Sequence, residues 1–419
     1  MHRLNVNDAS FIENPVNELN ALRRHGEVVP IKLPIIGKVW LTLSHAATAE
    51  MLKDNQRFTM RSHQDQRRST KHGRRSSPGQ VAGMQWWMPR SLRLLANNML
   101  TQDEPEHRRL RKLVDSAFAR APIQQMAPMI RETADHLLLA QKGQTEFNLV
   151  EAYARQLPLL VICQMLGFDK DQARAFADEA GQLTTVSGMV SFLRAILPIR
   201  RMVKLLEREI EIEGQNLAHL SPQDSQDRGL MSQLVQTQID GDRLSRDELI
   251  AMVFLLLVAG HETTTHLIAG AVLALLQNPQ PRRELQMQKV DMNMAVEELL
   301  RFCSPVQMSK PRFVGWTGEF HGVRLKEGDK IMAGLMAANF DPEHFADPGR
   351  LDLTRRPNPH LEFGTGIHFC LGHQLARLEL KIALQALFEH HPDFQLGQGG
   401  FAWKNRLGMR ALSALWVRT

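Results

Sequence analysis

Short alternating stretches lie near both ends of the chain, and the middle is periodic in the manner of helices. IKLPIIGKVWLTL (31–43) reads as two strands around a turn at Gly37. RFVGW (312–316), FHGVRL (320–325) and KIMAG (330–334) read as further strands, the last two joined by a KEGD hairpin. After Pro105, apolar residues at Leu110, Leu113, Val114, Ala117 and Phe118 keep the i, i+3, i+4, i+7, i+8 spacing of a helix. Ser245-Arg-Asp-Glu248 has the form of a capping box and opens a helix that should run to Asn278-Pro279. At 1.5 Å per residue that helix would be about 50 Å long, enough to cross a domain. Its first half is apolar nearly all round, which places it at the centre. Another helix starts at Leu371, with Leu375, Leu378 and Ile382 on one face. The pattern predicts a mainly α fold with a small β region. Its β-rich parts fall near 28–60, 304–360 and 394–419, its α-rich parts near 90–303 and 371–391, and residues 1–419 form one domain.

Composition narrows the class. With 419 residues, 43% of them hydrophobic, the chain can bury a large core, which excludes disordered and collagen-like types. Three cysteines, Cys163, Cys303 and Cys370, with no close pair, argue against a disulfide scaffold. The N-terminus lacks the apolar segment of a signal peptide. The longest apolar run, Ala251 to Gly260, is shorter than the roughly 20 residues a bilayer span needs. A cytoplasmic protein without membrane attachment is expected. The net charge of +6 is local: six Lys/Arg against one Asp lie in Arg61 to Gln80, all the cations by Arg75. Such a run reads first as a solvated loop and second as a contact for an acidic partner or substrate. No aromatic interleaving accompanies it, so nucleic acid is not expected.

Three segments carry candidate chemistry. In the long helix, LVAGHETTTHLIAG sets polar residues His261 to His266 within an apolar run. A zinc hydrolase needs H-E-x-x-H, whereas His266 follows His261 by five residues, roughly 140° around the helix. That excludes the zincin reading. Small Ala259 and Gly260 admit a bulky group, and Glu262 and Thr263 set an acid beside an alcohol. A core helix bent by threonine back-bonding would look the same. In AVEELLRF, Glu298 and Arg301 stand at i, i+3, an ordinary helix ion pair when taken alone. In HLEFGTGIHFCLGHQLAR (360–377), Cys370 precedes a helix whose positive end favours thiolate. Gly372 leaves room there for a flat group, and Phe369 stands where a Rossmann fingerprint needs its third glycine. Cys163 and Cys303 lack such surroundings and read as core.

Phe363 to Gly372, F-G-x-G-x-H-x-C-x-G, resembles the heme-binding loop of the cytochrome P450 superfamily. Glu298-x-x-Arg301 resembles that family's E-x-x-R pair, and Ala259-Gly-His-Glu-Thr263 its oxygen-activating A-G-x-[D/E]-T segment. All three stand in the family's order. DEPEHRRLR (103–111) and DPEHFADPGRLDLTR (341–355) also look like family segments.

The resemblance implies one cytochrome P450-type domain, soluble and bacterial in type, with heme b between the long central helix and the cysteine-loop helix. Cys370 becomes the iron's proximal thiolate ligand, the use the superfamily makes of cysteine. Phe363 packs beside the thiolate, and Ala259 and Gly372 border the macrocycle. His107, Arg111, Arg312 and His368 match propionate partners. Glu262 and Thr263 match the pair that delivers protons for O2 activation, and Glu298 with Arg301 anchors the loop. Trp86, Trp87, Met88, Val186, Met189, Phe192, Val258, Val306 and Leu407 are candidate substrate contacts, with core packing an equal reading for each. The implied activity is monooxygenation, hydroxylation or epoxidation, of a small lipophilic molecule by a monomer. Electrons come from ferredoxin and its NAD(P)H-dependent reductase, or a flavodoxin-type donor, because the chain has no flavin or nicotinamide motif. An oxidative coupling or ring-forming enzyme and a non-catalytic heme sensor are the alternatives.

Overall fold

The computed structural model describes residues 8–33, 36–62, 91, 98–169, 171–173, 175–176, 179, 189–217, 229–239 and 244–419. Six helices carry or flank the residues singled out from the sequence: α1 (His45–Lys53), α2 (Glu106–Lys112), α3 (Met189–Leu217), α4 (Arg246–Gln277), α5 (Met292–Cys303) and α6 (His373–His390). About 53% of the chain is helical, so the mainly α reading holds.

The capping box is formed as the sequence predicts. Ser245 N–H donates to Glu248 Oε2 at 2.8 Å, and Glu248 N–H donates to Ser245 Oγ at 3.2 Å. These two bonds satisfy donors that a helix start otherwise leaves open. Asp291 caps α5 in a similar way, its Oδ1 accepting from the N–H groups of Asn293 and Met294. Ser304 ends that helix in the left-handed region at φ 39°. By length and composition α4 could cross a membrane, but 67% of its most apolar window is buried inside the protein, as in a core helix.

Contacts divide the chain into two compact units. The first, Met1–Thr59 with Ile123–Pro158 and Glu262–Thr419, holds every described strand. The strands are β1 (Val28–Leu33), β2 (Gly37–Thr42), β3 (Phe58–Thr59), β4 (Glu146–Asn148), β5 (Arg312–Val314), β6 (Gly318–Phe320), β7 (Val323–Leu325), β8 (Lys330–Ala333), β9 (Gln395–Lys404) and β10 (Ala411–Arg418). Five form a sheet in the order β1-β2-β8-β5-β3, three form β4-β10-β9, and β6 and β7 pair alone. Apolar faces of the large sheet bury Ile31, Val39 and Leu41 on one side and Phe58, Val314 and Ile331 on the other. The second unit, Met60–Pro122 with Leu159–His261, is helical throughout its described residues apart from turns and loops.

Two expectations are corrected. The KEGD turn does not close a hairpin: β8 pairs in parallel with β2 and antiparallel with β5, while FHGVRL folds within itself as β6 and β7. His321 at φ 44° and Gly322 at φ 76° make that tight turn. The helix after Pro105 stops at Lys112. Beyond it Val114 and Ala117 bond to the third residue back, in tight turns that keep Val114 and Phe118 buried. Strand β4 lies within the part predicted to be α-rich.

Candidate functional site

The loop before α6 closes on itself through its own backbone. Gly364 N–H donates to Leu361 O at 2.9 Å, Phe369 N–H to Gly366 O at 3.0 Å, and Cys370 N–H to Phe363 O at 2.9 Å. Gly364 and Gly366 take φ of +66° and +78°, a region that side-chain-bearing residues avoid. A Cβ on Gly366 would lie 2.5 Å from the Leu52 carbonyl oxygen, so glycine is required there by contact as well. That carbonyl also accepts a 3.1 Å bond from Arg312 Nη1, which reaches the Met51 carbonyl at 3.3 Å. The end of α1 thus brings buried Arg312, at the start of β5, to the flank of the Cys370 loop.

Glu298 and Arg301 are fully buried and meet in a two-pronged pair, Nε to Oε2 and Nη2 to Oε1, both at 2.8 Å. Arg301 Nη1 also donates to the carbonyls of Asn339 and Pro348, at 2.8 and 2.9 Å. Asn339 Oδ1 accepts from Leu361 N–H at 2.7 Å, and its Nδ2 donates to Glu362 Oε2 at 3.3 Å. The pair therefore reaches the Cys370 loop through one asparagine. Burial pushes the Glu362 carboxyl well above the usual range, although Val306 N–H donates to it at 3.0 Å.

Sequence reasoning missed a third member of that pair. Arg355 Nε lies 3.2 and 3.1 Å from the two oxygens of Glu298, and Asn358 Nδ2 adds 3.1 Å to Oε2. Arg355 closes the DPEHFADPGRLDLTR segment, the one signal that could have found it. Arg406 was missed as well. It reaches from the β9–β10 connection to Glu262, its guanidinium against the carboxylate, and burial pushes its own pKa down to about 10.

Helix α4 is buried from Leu249 to Leu257, then opens: Val258, Gly260, Glu262 and Thr263 are half-buried and Ala259 is exposed. His107 is buried on α2, and Arg111, one turn on, is half-buried with Nε 3.1 Å from Asp115 Oδ1. His368 is half-buried in the Cys370 loop. Val306 bridges to Met409 and packs against the Phe58 side of the sheet, while Leu407 packs against the Ile31 side. Met189 begins α3, whose first side chains lie outside the described residues, Phe192 among them; so do Trp86, Trp87, Met88 and Val186, and most of the basic segment 61–75.

The three thiols differ sharply. Cys163 and Cys303 are buried, and burial pushes each up to about 12, which disfavours thiolate. Cys370 is half-buried and stands three residues before α6 begins, ahead of the positive end of that helix. A Cβ on Gly372 would meet nothing within 4 Å, so the surface beside the thiol is open. A soft sulfur donor beside open space, flanked by a buried guanidinium, fits an iron macrocycle bearing carboxylates.

Comparison with known proteins agrees with this chemistry. The model of the family described as Cytochrome P450 matches residues 199–395. The chain is 36% identical over 391 residues to Vitamin D(3) 25-hydroxylase of Pseudonocardia autotrophica, covering 93% of this chain and 89% of that protein. Among solved structures, the cytochrome P450 PksS of the Bacillus subtilis 168 bacillaene polyketide synthase superposes with a TM-score of 0.84. It is 30% identical, with 99% of each chain covered. A myxobacterial cytochrome P450 in complex with myristic acid matches with the same TM-score and identity, covering 98% of this chain and 97% of that one.

Proposed function

The chain belongs to the cytochrome P450 family, and on that premise we propose that it hydroxylates or epoxidises a small lipophilic substrate with electrons from an external donor. Its class is cytochrome P450 monooxygenase, in a family that binds heme b and uses O2. The observation that carries the proposal is the contrast among the thiols: only Cys370 combines partial exposure, a helix start and open space.

When bound, the heme supplies the centre at which one oxygen atom of O2 enters the substrate and the other leaves as water. The protein's residues do the rest. Cys370 gives its thiolate to the iron, and Phe363 packs beside the sulfur. Arg312, His368, His107 and Arg111 hold the propionates, and Ala259 and Gly372 leave room for the macrocycle. Glu298 and Arg301 keep the loop in place. Glu262 would take up protons, and the Thr263 hydroxyl would hold the water that passes them on. Val258, Val306, Leu407, Met189, Val186, Trp86 and Trp87 border the substrate.

A lipophilic substrate is supported by the company the chain keeps, a vitamin D hydroxylase and a P450 that holds myristic acid. Reliance on a ferredoxin or flavodoxin-type donor is supported by the absence of flavin and nicotinamide motifs from the sequence. Among the described residues, burial of α4 supports reading it as a core helix rather than a membrane span, and a cytoplasmic location goes with that reading. One helix, α4, continues through both compact units, which supports reading 1–419 as one domain.

The test is a spin-state screen of lipophilic compounds against the ferric protein, followed by turnover of the hits with a surrogate ferredoxin system. Oxygenated product is expected, and Thr263→Ala should keep the heme spectrum while diverting electrons to peroxide. Hits that bind and are never oxygenated would favour a sensor instead. Unchanged coupling of NADPH use to product in Thr263→Ala would remove that residue from the proton path.

A further inference from the structure

The proposed chemistry leaves unused one polar cluster at the Cys370 loop. Arg377, on α6, lays its guanidinium 4.4 Å from the centre of the Phe363 ring. Glu297 on α5, next to the buried Glu298, grips that guanidinium with both oxygens: Nε to Oε1 at 2.5 Å and Nη2 to Oε2 at 2.9 Å. His360 Nε2 lies 3.0 Å from the same Oε2. Arg377 Nη1 sits 2.9 Å from His373 Nδ1 and donates to the His373 carbonyl at 3.2 Å. The rings of His360, His373 and Phe369 surround Phe363 at centroid distances of 6.0, 6.0 and 6.4 Å. The carbonyl of Phe363 in turn accepts the N–H of Cys370 at 2.9 Å.

An isolated ion pair with both members about a third exposed would matter little. Here the pair is anchored at both ends and its flat face lies on an aromatic ring, the geometry in which arginine is not replaceable by lysine. Against burial, which works the other way, Arg377 and His360 hold the Glu297 carboxyl down to about 2. The side chain that the pair immobilises belongs to the residue whose carbonyl fixes the backbone of the thiolate.

We propose that Arg377 and Glu297 are positioning residues for Cys370: they lock the Phe363 ring, and through its backbone they set the N–H environment of the sulfur. Because groups around a ligating sulfur tune the metal, the pair sets the heme's reduction potential. This rests on the heme-thiolate reading above. The mechanism is distinct from a through-space charge effect. Removing a cation near the iron lowers the potential and removing an anion raises it, so charge alone predicts opposite signs for the two partners. Positioning predicts the same sign, because either loss frees the same ring.

The experiment is a redox titration, with mediator dyes, of the heme-loaded wild type, Arg377→Gln, Glu297→Gln and the double variant. Both single variants should move the reduction equilibrium in one direction by about threefold, ~30 mV at ~59 mV per decade. The double variant should move it no further than the larger single. Arg377→Lys keeps the charge, loses the fork and should shift with the others, and it carries the test should Arg377→Gln fail to hold heme. Shifts of opposite sign, a wild-type potential in Arg377→Lys, or lowered thermal stability with unchanged potentials would overturn the proposal. A wild-type ferrous–CO spectrum without the thiolate band would instead overturn the heme-thiolate reading beneath it.

Discussion

At the scale of single residues, Glu298 is the most heavily used side chain of the proposed loop anchor. Its two oxygens receive Arg301, Arg355, Asn358 and the N–H of Asp352. Glu298→Gln leaves Arg301 buried without a countercharge, and a broken buried pair costs about 3–5 kcal/mol. Urea unfolding at neutral pH should show that loss, with the midpoint lowered and the slope kept. Glu297 gives a pH-dependent counterpart. Its folded pKa of about 2 lies below the ordinary 4.5, so its contribution is fully present above pH 4.5 and fades as pH falls toward 2. Its partial exposure limits the size to about 1 kcal/mol. Between pH 5 and pH 3 the wild type should lose about half of that amount more than Glu297→Gln, and the rest as pH falls through 2. The Glu298–Arg301 pair was legible in the sequence because its members stand one helical turn apart. Arg355 and Arg406 meet their partners across 57 and 144 residues, a proximity that only the folded chain creates.

Elements were legible where their signals are local. The capping box at Ser245 is a four-residue signal and forms as read; Ser245→Ala should cost about 1 kcal/mol, measured by chemical unfolding. The two strands around Gly37 were found together with their pairing, but the strands read between 312 and 334 were found without their partners, because alternation marks a half-buried face and leaves the neighbour open. Hence KEGD looked like a hairpin, while β8 takes β2 from near the N-terminus and β5 from just upstream of the β6–β7 hairpin. The apolar spacing after Pro105 continues past the helix because tight turns with a three-residue repeat hold similar residues inward. The Cys370 loop was legible through its glycines, and Gly366 shows why. Gly366→Ala needs a positive φ and a Cβ 2.5 Å from the Leu52 carbonyl oxygen. A loss of more than about 1 kcal/mol is expected, with faster heme release on transfer to apomyoglobin.

For the whole molecule, the sequence pointed to a mainly α chain with its β region drawn from both ends, and the sheets bear this out, with β4 as an added strand from the middle. The one-domain proposal predicts a single cooperative transition on urea unfolding of the heme-loaded protein. Heme absorbance and far-ultraviolet circular dichroism should coincide, whereas two separated transitions would count against it. The central claim is that Cys370 gives its sulfur to a heme iron. The direct measurement is the CO-difference spectrum of the dithionite-reduced, heme-loaded protein beside Cys370→His. Ligation by Cys370 gives the red-shifted Soret band of a thiolate in the wild type and its replacement by a histidine-type band in the variant. A histidine-type band in the wild type, or a thiolate band that survives the substitution, would contradict it.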